Sequence, residues 1–395
     1  MRDGLARSGE MRLRWPRPGV LSASAAAGGL AAALLTAACS EQIDLRGSSP
    51  SAVEAVGAVA DTAAALTTRW LVPPDPGLDP PLAAPVSIEV DAGRRRLFVL
   101  ELQPPELRVY DLLDGRLIAG LGREGDGPGE YRHPIDLAVS GGGLAAVLSV
   151  GGRVTYWGPD ASLAGVVRSG GGLATDIVAA RGDSFYVKAD RFPPEDVAEF
   201  RVVTRDSVLD QPRYRDSGLA GTEEPGRALR NHSYAVAATA SGDLLLAPPG
   251  QEYLILRIGP EGKLRQRIRR SEIPPLRRSK DEVEAIRERI RRGFAAAGRT
   301  VPTRLQVPLY RSHVARLAVA PDGTIWTLTQ RGGGDVAVID RFDEDGSFSG
   351  SYRVLLRVSE LAVGRDAIYF LAHSTLDVPG IAVATRPRLR GTDGR

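Results

Sequence analysis

The sequence predicts an all-β fold, a six-bladed β-propeller of four-stranded blades with one helical insertion between blades 4 and 5. From residue 86 onwards, short apolar runs such as 86–90 and 96–100 alternate with turns rich in Gly, Pro and Asp. Runs of this kind are typical of short strands joined by hairpins. The runs also form six sets that recur about every 42–57 residues, widened once by the insertion, which is the spacing of propeller blades.

Each set begins with a comparable apolar first strand. In order, these strands begin near Val86, Ile135, Asp176, Tyr234, Leu317 and Leu361. A blade cannot bury both faces of its sheet alone, so the sets must stack in a ring. A β-sandwich is the alternative for many short strands, but sandwiches rarely show this regular four-strand cadence.

The sixth set offers only three strands before the C-terminal tail, residues 387–395. The apolar stretch at residues 66–72 is therefore predicted to supply the missing strand and to close the ring with N-terminal chain. On this interpretation the propeller spans residues 64–386, and the helical insertion spans 271–308.

The first 38 residues have the order of a secretory signal. Residues 1–19 are rich in Arg, and residues 20–38 carry no charge, as in the basic and apolar regions of signal peptides. This leader also accounts for the whole formal net charge of +3. The remainder of the chain is neutral, so its charge gives no support to nucleic-acid binding.

The only cysteine, Cys39, follows this apolar segment directly. Residues 35–39, Leu-Thr-Ala-Ala-Cys, resemble the lipobox of bacterial lipoproteins, although Thr36 stands where Leu is commoner. The resemblance implies a signal peptide over residues 1–38, cleavage before Cys39 and lipidation of its thiol, and several acyl chains make such an anchor permanent. An ordinary signal peptide with a chance Cys and an uncleaved membrane helix are the alternatives.

The residues after Cys39 predict where the protein is placed. Residues 39–63 are rich in Ala, Ser, Pro and Gly, which predicts a flexible tether between the membrane and the propeller. Ser40 follows the cysteine, and by resemblance to the sorting rule of Gram-negative lipoproteins this implies the outer membrane, facing the periplasm.

Two segments resemble a known repeat family. Residues 125–131, Gly-Asp-Gly-Pro-Gly-Glu-Tyr, precede Pro134 and the run 137–139, and residues 321–326 read Pro-Asp-Gly-Thr-Ile-Trp. Both resemble the NHL-type repeats of bacterial six-bladed β-propeller lipoproteins, over about residues 85–385. The resemblance implies the propeller fold and a cell-envelope location, and it leaves the ligand open.

The insertion predicts one helix. Ser279 and Glu282 have the spacing of a capping box, and the apolar residues that follow share one helical face. Those residues are Val283, Ile286, Ile290 and Phe294. The helix either docks on the propeller surface or forms a lid over one mouth of the central channel, since long insertions often carry function.

Three of the four histidines occupy one offset in the repeat. His133, His232 and His313 each stand four residues before a first-strand apolar residue. First strands line the axis of a propeller, so these side chains are expected at the channel mouth. Three imidazoles with an open fourth position are the ligands of a catalytic zinc ion, and propeller lyases that process amidated peptides are similar in using three axial histidines.

The alternative is a variable rim position without metal. Several polar side chains would then form a binding pocket at the same mouth together with the histidines. They are Arg132, Asp136, Arg230, Asn231 and Arg311.

The sequence thus favours a lipid-anchored cell-envelope module that binds a protein or a small-molecule ligand. A metal-dependent lyase or hydrolase that uses the three histidines and zinc is the alternative function. Other catalytic motifs fail: no G-x-S-x-G elbow is present, and the glycines at 125–129 lack the helix that a phosphate-binding loop requires.

Overall fold

The computed structural model describes residues 52–54, 63–78, 80–170, 172–191, 197–209, 211–216, 234–296, 307 and 309–387. Over these residues the chain forms six blades, each built on four antiparallel strands that follow one another from the inner to the outer edge. This confirms the predicted six-bladed propeller of four-stranded blades.

The strands, in chain order, have the following bounds. Before the first blade come β1 (Ala52–Glu54), β2 (Ala64–Ala65) and β3 (Thr68–Val72). Blade 1 contains β4 (Pro85–Asp91), β5 (Arg96–Leu102), β6 (Pro105–Asp111) and β7 (Leu117–Leu121), and the linker to blade 2 contains β8 (Arg123–Glu124) and β9 (Glu130–Tyr131). Blade 2 contains β10 (Pro134–Val139), β11 (Ala145–Ser149), β12 (Arg153–Trp157) and β13 (Leu163–Arg168).

The second half of the ring follows the same order. Blade 3 contains β14 (Leu173–Ala179), β15 (Ser184–Arg191), β16 (Val197–Thr204) and β17 (Tyr214–Asp216). Blade 4 contains β18 (Ala235–Ala238), β19 (Leu244–Ala247), β20 (Leu254–Ile258) and β21 (Leu264–Arg269), and helix α1 (Lys280–Ala296) follows it. Blade 5 contains β22 (Val314–Val319), β23 (Ile325–Gly333), β24 (Val336–Phe342) and β25 (Phe348–Val354), and blade 6 contains β26 (Arg357–Val363), β27 (Ala367–His373) and β28 (Pro379–Thr385).

The ring is closed by N-terminal chain, as predicted. Strand β3 pairs antiparallel with β28 and becomes the outermost strand of blade 6, with Trp70 opposite Ala382 and Val72 opposite Ile381. The blade therefore joins the two ends of the propeller. Leu71 and Val72 are buried in the apolar layer that blade 6 shares with blade 1, so closure also stabilises the first interface of the ring.

The predicted tether contains ordered pairing within its described part. Residues 52–54 form β1, which adds in parallel to the outer strand β21 of blade 4. Residues 64–65 form β2 and add in parallel to β25 of blade 5. The outer strand of a sheet has unpaired N–H and C=O groups along its free edge. Segments of the N-terminal chain pair with this edge in blades 4, 5 and 6. The rest of the tether, the signal segment with Cys39 and residues 388–395 lie outside the described residues.

The apolar core is divided among the six interfaces between blades. Successive residues of a middle strand alternate between the two faces of its sheet: Leu97 and Val99 pack toward blade 6, whereas Phe98 and Leu100 pack toward blade 2. Both faces are buried, so middle strands read as continuous apolar runs. Trp326, which is fully buried, fills the layer between blades 5 and 6.

The glycine-rich segment at residues 125–131 has a structural role in the linker between blades 1 and 2. The Glu130 carboxylate accepts hydrogen bonds from the Gly127 backbone N–H at 2.8 Å and from Arg123. Tyr131 is fully buried, and its hydroxyl accepts a hydrogen bond from the Trp157 indole at 2.5 Å. The segment therefore locks blade 1 against blade 2.

Helix α1 begins as the sequence predicts. The Glu282 carboxylate accepts the Ser279 N–H at 2.9 Å, and the Ser279 hydroxyl accepts the Glu282 N–H at 3.2 Å, which is the reciprocal pairing of a capping box. Val283 is buried, and Ile286 is half-buried. Among the described residues, no helix combines the length and the apolar character needed to cross a membrane.

Close approach of backbone to backbone requires glycine at the outer turn of blade 1. Gly115 has φ +72°, and a Cβ there would lie 2.0 Å from the carbonyl oxygen of Leu71 in the closing strand β3. Gly262 of blade 4 is crowded in the same way, at 2.1 Å from the Arg213 carbonyl oxygen of blade 3. A turn of one blade thus rests on the outer strand of the blade before it.

We expect Gly115→Ala to destabilise the closed ring through both backbone strain and this contact. Gly151→Ala is the matched control, since Gly151 has φ +83° and no atom within 4 Å of the added Cβ. Strain alone costs about 1 kcal/mol, and the added clash raises the loss for Gly115→Ala to about 3 kcal/mol. Urea unfolding of both variants measures the difference, and equal losses would contradict closure by β3.

Candidate functional site

The inner strands of the six blades surround the axis of the propeller. Each of these strands contacts the inner strand of the blade on either side, so the ring that they form is closed. The strands all begin at one face, which we call the entry face. The entry face also carries the turns between second and third strands and the connections from one blade to the next, as the strand order requires.

Five inner strands carry a bulge at the same point. The pairing with the second strand shifts by one residue near the start of each. A bulge turns the following side chain away from the regular alternation, and bulges are common next to functional sites. The residues directly after the bulges are Ser87, Asp136, Asp176, Arg316 and Glu360.

Hydrogen bonds show that Asp136 joins three blades. One of its carboxylate oxygens accepts the Ser87 hydroxyl of blade 1 at 3.0 Å. The other accepts the backbone N–H of Ile177 in blade 3 at 2.8 Å. Both bonds cross from one blade to another, so the side chain lies at the centre of the ring and not between the strands of one sheet.

Charged partners face Asp136 from the other side of the axis. Arg316 of blade 5 forms an ion pair with Glu360 of blade 6. The Asp136 and Asp176 carboxylates also act on Arg316, and Glu89 of blade 1 interacts with Asp136 and Glu360. Blade 5 is not a neighbour of blade 2 or blade 3 in the ring, so the carboxylates of Asp136 and Asp176 can act on Arg316 only around the axis. We call Glu89, Asp136, Asp176, Arg316 and Glu360 the axial cluster.

Burial raises the pKa values of three carboxyl groups of the axial cluster, and neighbouring carboxylates add to the rise. Burial within the ring raises the pKa of Glu89 to about 8, and the Asp136 carboxylate adds to the rise. Burial raises the pKa of Asp136 to about 7, with Asp176 contributing. The pKa of Glu360 also rises to about 7 through burial, although Arg316 opposes the change. Three carboxyl groups therefore share protons near neutral pH.

The axial cluster is reached by solvent. Arg316 has a side-chain exposure of 51%, and Asp176 has one of 32%. Lys188 beneath them is 2% exposed, donates to Thr175 at 2.8 Å and contacts Asp176 at 3.3 Å. Blade 4 contributes no polar side chain at the corresponding register, where Ala235 is buried. The arrangement is a polar cluster with more carboxyl groups than cations.

The structure separates the residues that the sequence predicts at the channel mouth. Only Asp136 belongs to the axial cluster. Arg132 is exposed and pairs with Asp126 in the linker before blade 2, and His133 is exposed with φ +52°. Arg311 forms an ion pair with Glu282 at the start of α1. Arg230, Asn231 and His232 lie outside the described residues.

His313 is buried between blades 4 and 5. It is 1% exposed, its ring packs near Tyr253, and its Nε2 atom lies 2.9 Å from the Gln251 carbonyl oxygen. Burial lowers the pKa of His313, with a smaller contribution from Arg331. His133 and His313 occupy the same position in the repeat but have different surroundings. His133 lies on a surface loop, whereas His313 is buried beneath the entry face.

Zinc binding by His133, His232 and His313 stays a prediction. Within the described ranges, no group of three or more His, Cys, Asp or Glu side chains is arranged to hold a metal ion. His232 is not among the residues searched, and the Nδ1 atom of His313 has no hydrogen-bond partner.

A second buried ionic network lies beside His313. Asp340 is fully buried and contacts Arg270 at 3.0 Å, Arg331 and the Ser351 hydroxyl. The Arg270 guanidinium also lies 3.7 Å from the centre of the Phe348 ring. Burying one partner alone would be costly, so this network ties the strands of blade 5 to the end of blade 4 and serves packing.

Sequence reasoning missed four members of the axial cluster, namely Glu89, Asp176, Arg316 and Glu360. A signal was available, because three of them stand directly before an apolar first-strand residue, as Asp136 does. Four blades carry a charged residue at this position of the first strand. The pattern indicates a shared site only when the closed ring is known to bring these strands together.

Comparisons with known proteins agree with the fold. No protein-family model matches the chain, and no curated protein matches it. A solved structure of an exported protein from Bacteroides fragilis is similar at 13% identity and TM-score 0.50, over 85% of this chain and 99% of that one. The calcium-binding protein regucalcin from Agrobacterium tumefaciens has 11% identity and TM-score 0.45, over 85% and 98% of the two chains.

We expect Glu89 to make stability depend on pH. The folded protein holds this proton more tightly than the unfolded chain, so the free energy of unfolding falls as pH rises from about 4.5 to about 8. Glu89→Gln removes the contribution of Glu89 and leaves those of Asp136 and Glu360. At pH 8 the variant should be more stable than the parent by roughly 1–2 kcal/mol, after allowance for water in the channel.

Urea unfolding at several pH values measures this difference. Asp366→Asn is the control, because this carboxyl group is exposed on the turn between β26 and β27, at the face opposite the entry face. The control should keep the parent's pH dependence. A parent and a Glu89→Gln variant with parallel curves would show that Glu89 ionises normally in the folded state.

Proposed function

We propose that this protein is a binding module of the bacterial cell envelope, and that its ligand site is the axial cluster, which receives a positively charged group. Support comes chiefly from one observation: the closed ring gathers four carboxyl groups around the Arg316 guanidinium, with Lys188 paired to Asp176, at a centre where Arg316 and Asp176 are partly exposed.

A cationic ligand follows from the energetics of this cluster. Like charges close together in a protein-lined cavity hold protons because both cannot ionise without cost. A bound cation would replace those protons and allow Glu89, Asp136 and Glu360 to ionise. The partial exposure of Asp176 allows such a group to approach the cluster from solvent.

The envelope location rests on the N-terminal sequence. The Arg-rich residues 1–19, the uncharged residues 20–38 and Cys39 support export and lipid anchoring, with Ser40 favouring the outer membrane. Likeness in fold to an exported Bacteroides fragilis protein is compatible with this. Labelling with radioactive palmitate tests the anchor, and a Cys39→Ser variant that incorporates as much label as the parent would exclude it.

No observation favours the alternative of a zinc-dependent lyase or hydrolase. His313 would have to leave its hydrogen bond with Gln251 and move out from beneath the entry face before it could share a ligand with His133. The axial carboxyl groups, by contrast, already converge from four blades.

We expect the purified protein to bind a simple cation at the axial cluster and to release protons as it does so. Calorimetric titration with spermidine at pH 7 should reveal a dissociation constant below about 1 mM. Cation binding lowers the raised pKa values of Glu89, Asp136 and Glu360, so protons are released. The same titration, repeated in buffers that differ in ionisation enthalpy, gives the number of protons released.

Glu89→Gln should weaken this binding about tenfold, which corresponds to the loss of one charge contact, and should reduce the proton release. Asp366→Asn should change neither quantity. Binding that persists unchanged in Glu89→Gln, or no binding of spermidine, would rule out the axial cluster as a cation site.

A further inference from the structure

The entry face carries an unusual number of exposed apolar side chains. Exposure ranges from 41% for Leu173 to 84% for Leu376. Each of these residues lies in a turn between second and third strands, in a connection between blades or at the first position of an inner strand. The group, which we call the apolar ring, is Val150, Leu173, Leu309, Leu355 and Leu376.

The opposite face differs. Among the described residues, three large apolar side chains are exposed there: Leu113 in the turn between β6 and β7, at 70%, Leu209 in the connection between β16 and β17, at 40%, and Leu163 at the first position of β13, at 40%. Ile118 and Val166 are exposed within outer strands. Single exposed apolar residues are ordinary on a protein surface. Those of the entry face differ in their position, since they lie at an inner strand, in turns between second and third strands and in blade connections, from blade 2 round to blade 6.

The apolar ring surrounds the axial cluster. Leu173 opens the inner strand that carries Asp176, and Leu355 lies two residues before the inner strand that carries Glu360. Asp136 and Arg316 stand third in their six-residue strands, counted from the entry face, Asp176 and Glu360 stand at the middle of theirs, and Glu89 lies deeper. The axial cluster therefore lies inside the ring, below the apolar side chains of the entry face.

We propose that the entry face is a docking surface for a protein partner that presents a Lys or Arg side chain between apolar residues. The basic side chain would enter the axial cluster, and its apolar neighbours would pack on the apolar ring. This inference rests on the proposed function and names its ligand as a side chain of another protein.

The carboxyl groups of the axial cluster and the width of the apolar ring both favour a protein partner over a free ion. A Lys or Arg side chain has an apolar stem and a charged end, which matches an apolar rim around a carboxyl-lined centre. A metal ion or a small amine would use the axial cluster alone and leave the apolar ring exposed to water. A protein surface can span from Val150 to Leu376 and bury these side chains, and interfaces of this kind derive most of their affinity from a few such anchors.

The test begins with a library of random peptides about twelve residues long, long enough when extended to cross the ring. The full chain serves as the bait, and the selected peptides are measured by fluorescence polarisation. We expect selected peptides to contain Lys or Arg flanked by apolar residues. Combined Leu355→Ser and Leu376→Ser should weaken binding at least about tenfold, whereas Leu113→Ser on the opposite face should have no effect.

A double-mutant cycle then tests the charge contact. Replacing the basic residue of the peptide by Gln should weaken binding to the parent strongly and to Glu89→Gln much less, because the two changes remove the same interaction. Additive effects would show that the basic side chain does not enter the axial cluster. Equal losses for the entry-face pair and for Leu113→Ser would show that the apolar ring is not the docking surface.

The outcomes also separate this inference from the proposed function. If spermidine binds in a Glu89-dependent way and no peptide couples to Glu89, the proposed ligand site is supported and protein docking is wrong. If neither cations nor peptides bind, both are wrong.

Discussion

Pairing of β3 with β28 is the interaction on which the rest of the structure depends. Each blade buries its two faces only against its neighbours, so an open arc would expose the apolar layer between blades 6 and 1. Closure joins residues 68–72 to residues 381–384, more than three hundred positions apart in the chain. The same N-terminal chain also covers the outer edges of blades 4 and 5 through β1 and β2, so it stabilises half of the ring.

Closure has a chemical consequence at the axis. Once the six inner strands face one another, any charged residue that a bulge turns inward meets those of the other blades. Asp136 of blade 2 and Glu360 of blade 6 interact although they lie far apart in sequence. The folded state keeps several carboxyl groups close together at a cost in stability. Destabilising clusters of this kind are usually found at binding or catalytic sites.

The sequence predicts the elements well because their causes are local. The local causes are the alternation of apolar residues in strands, Gly and Pro in turns, and the Ser279–Glu282 capping box. The sixth set has only three strands, which predicts that another part of the chain supplies the fourth. The axial cluster depends on the closed ring: a lone Glu89 or Asp176 in a strand looks like any half-exposed residue. His133 and His313 show the opposite error. They share one position in the repeat, but the loops that precede their strands differ, so one side chain is exposed and the other is buried.

The central claim is that the ring holds carboxyl groups at its axis with raised pKa values, ready for a positively charged partner. Carbon-13 NMR of the carboxyl groups of labelled glutamate, titrated from pH 4 to pH 9, measures this directly in the intact protein, and Glu89→Gln and Glu360→Gln assign the two signals. We predict that Glu89 titrates near pH 8 and Glu360 near pH 7. Titration of both near their ordinary value of about 4.3 would contradict the account.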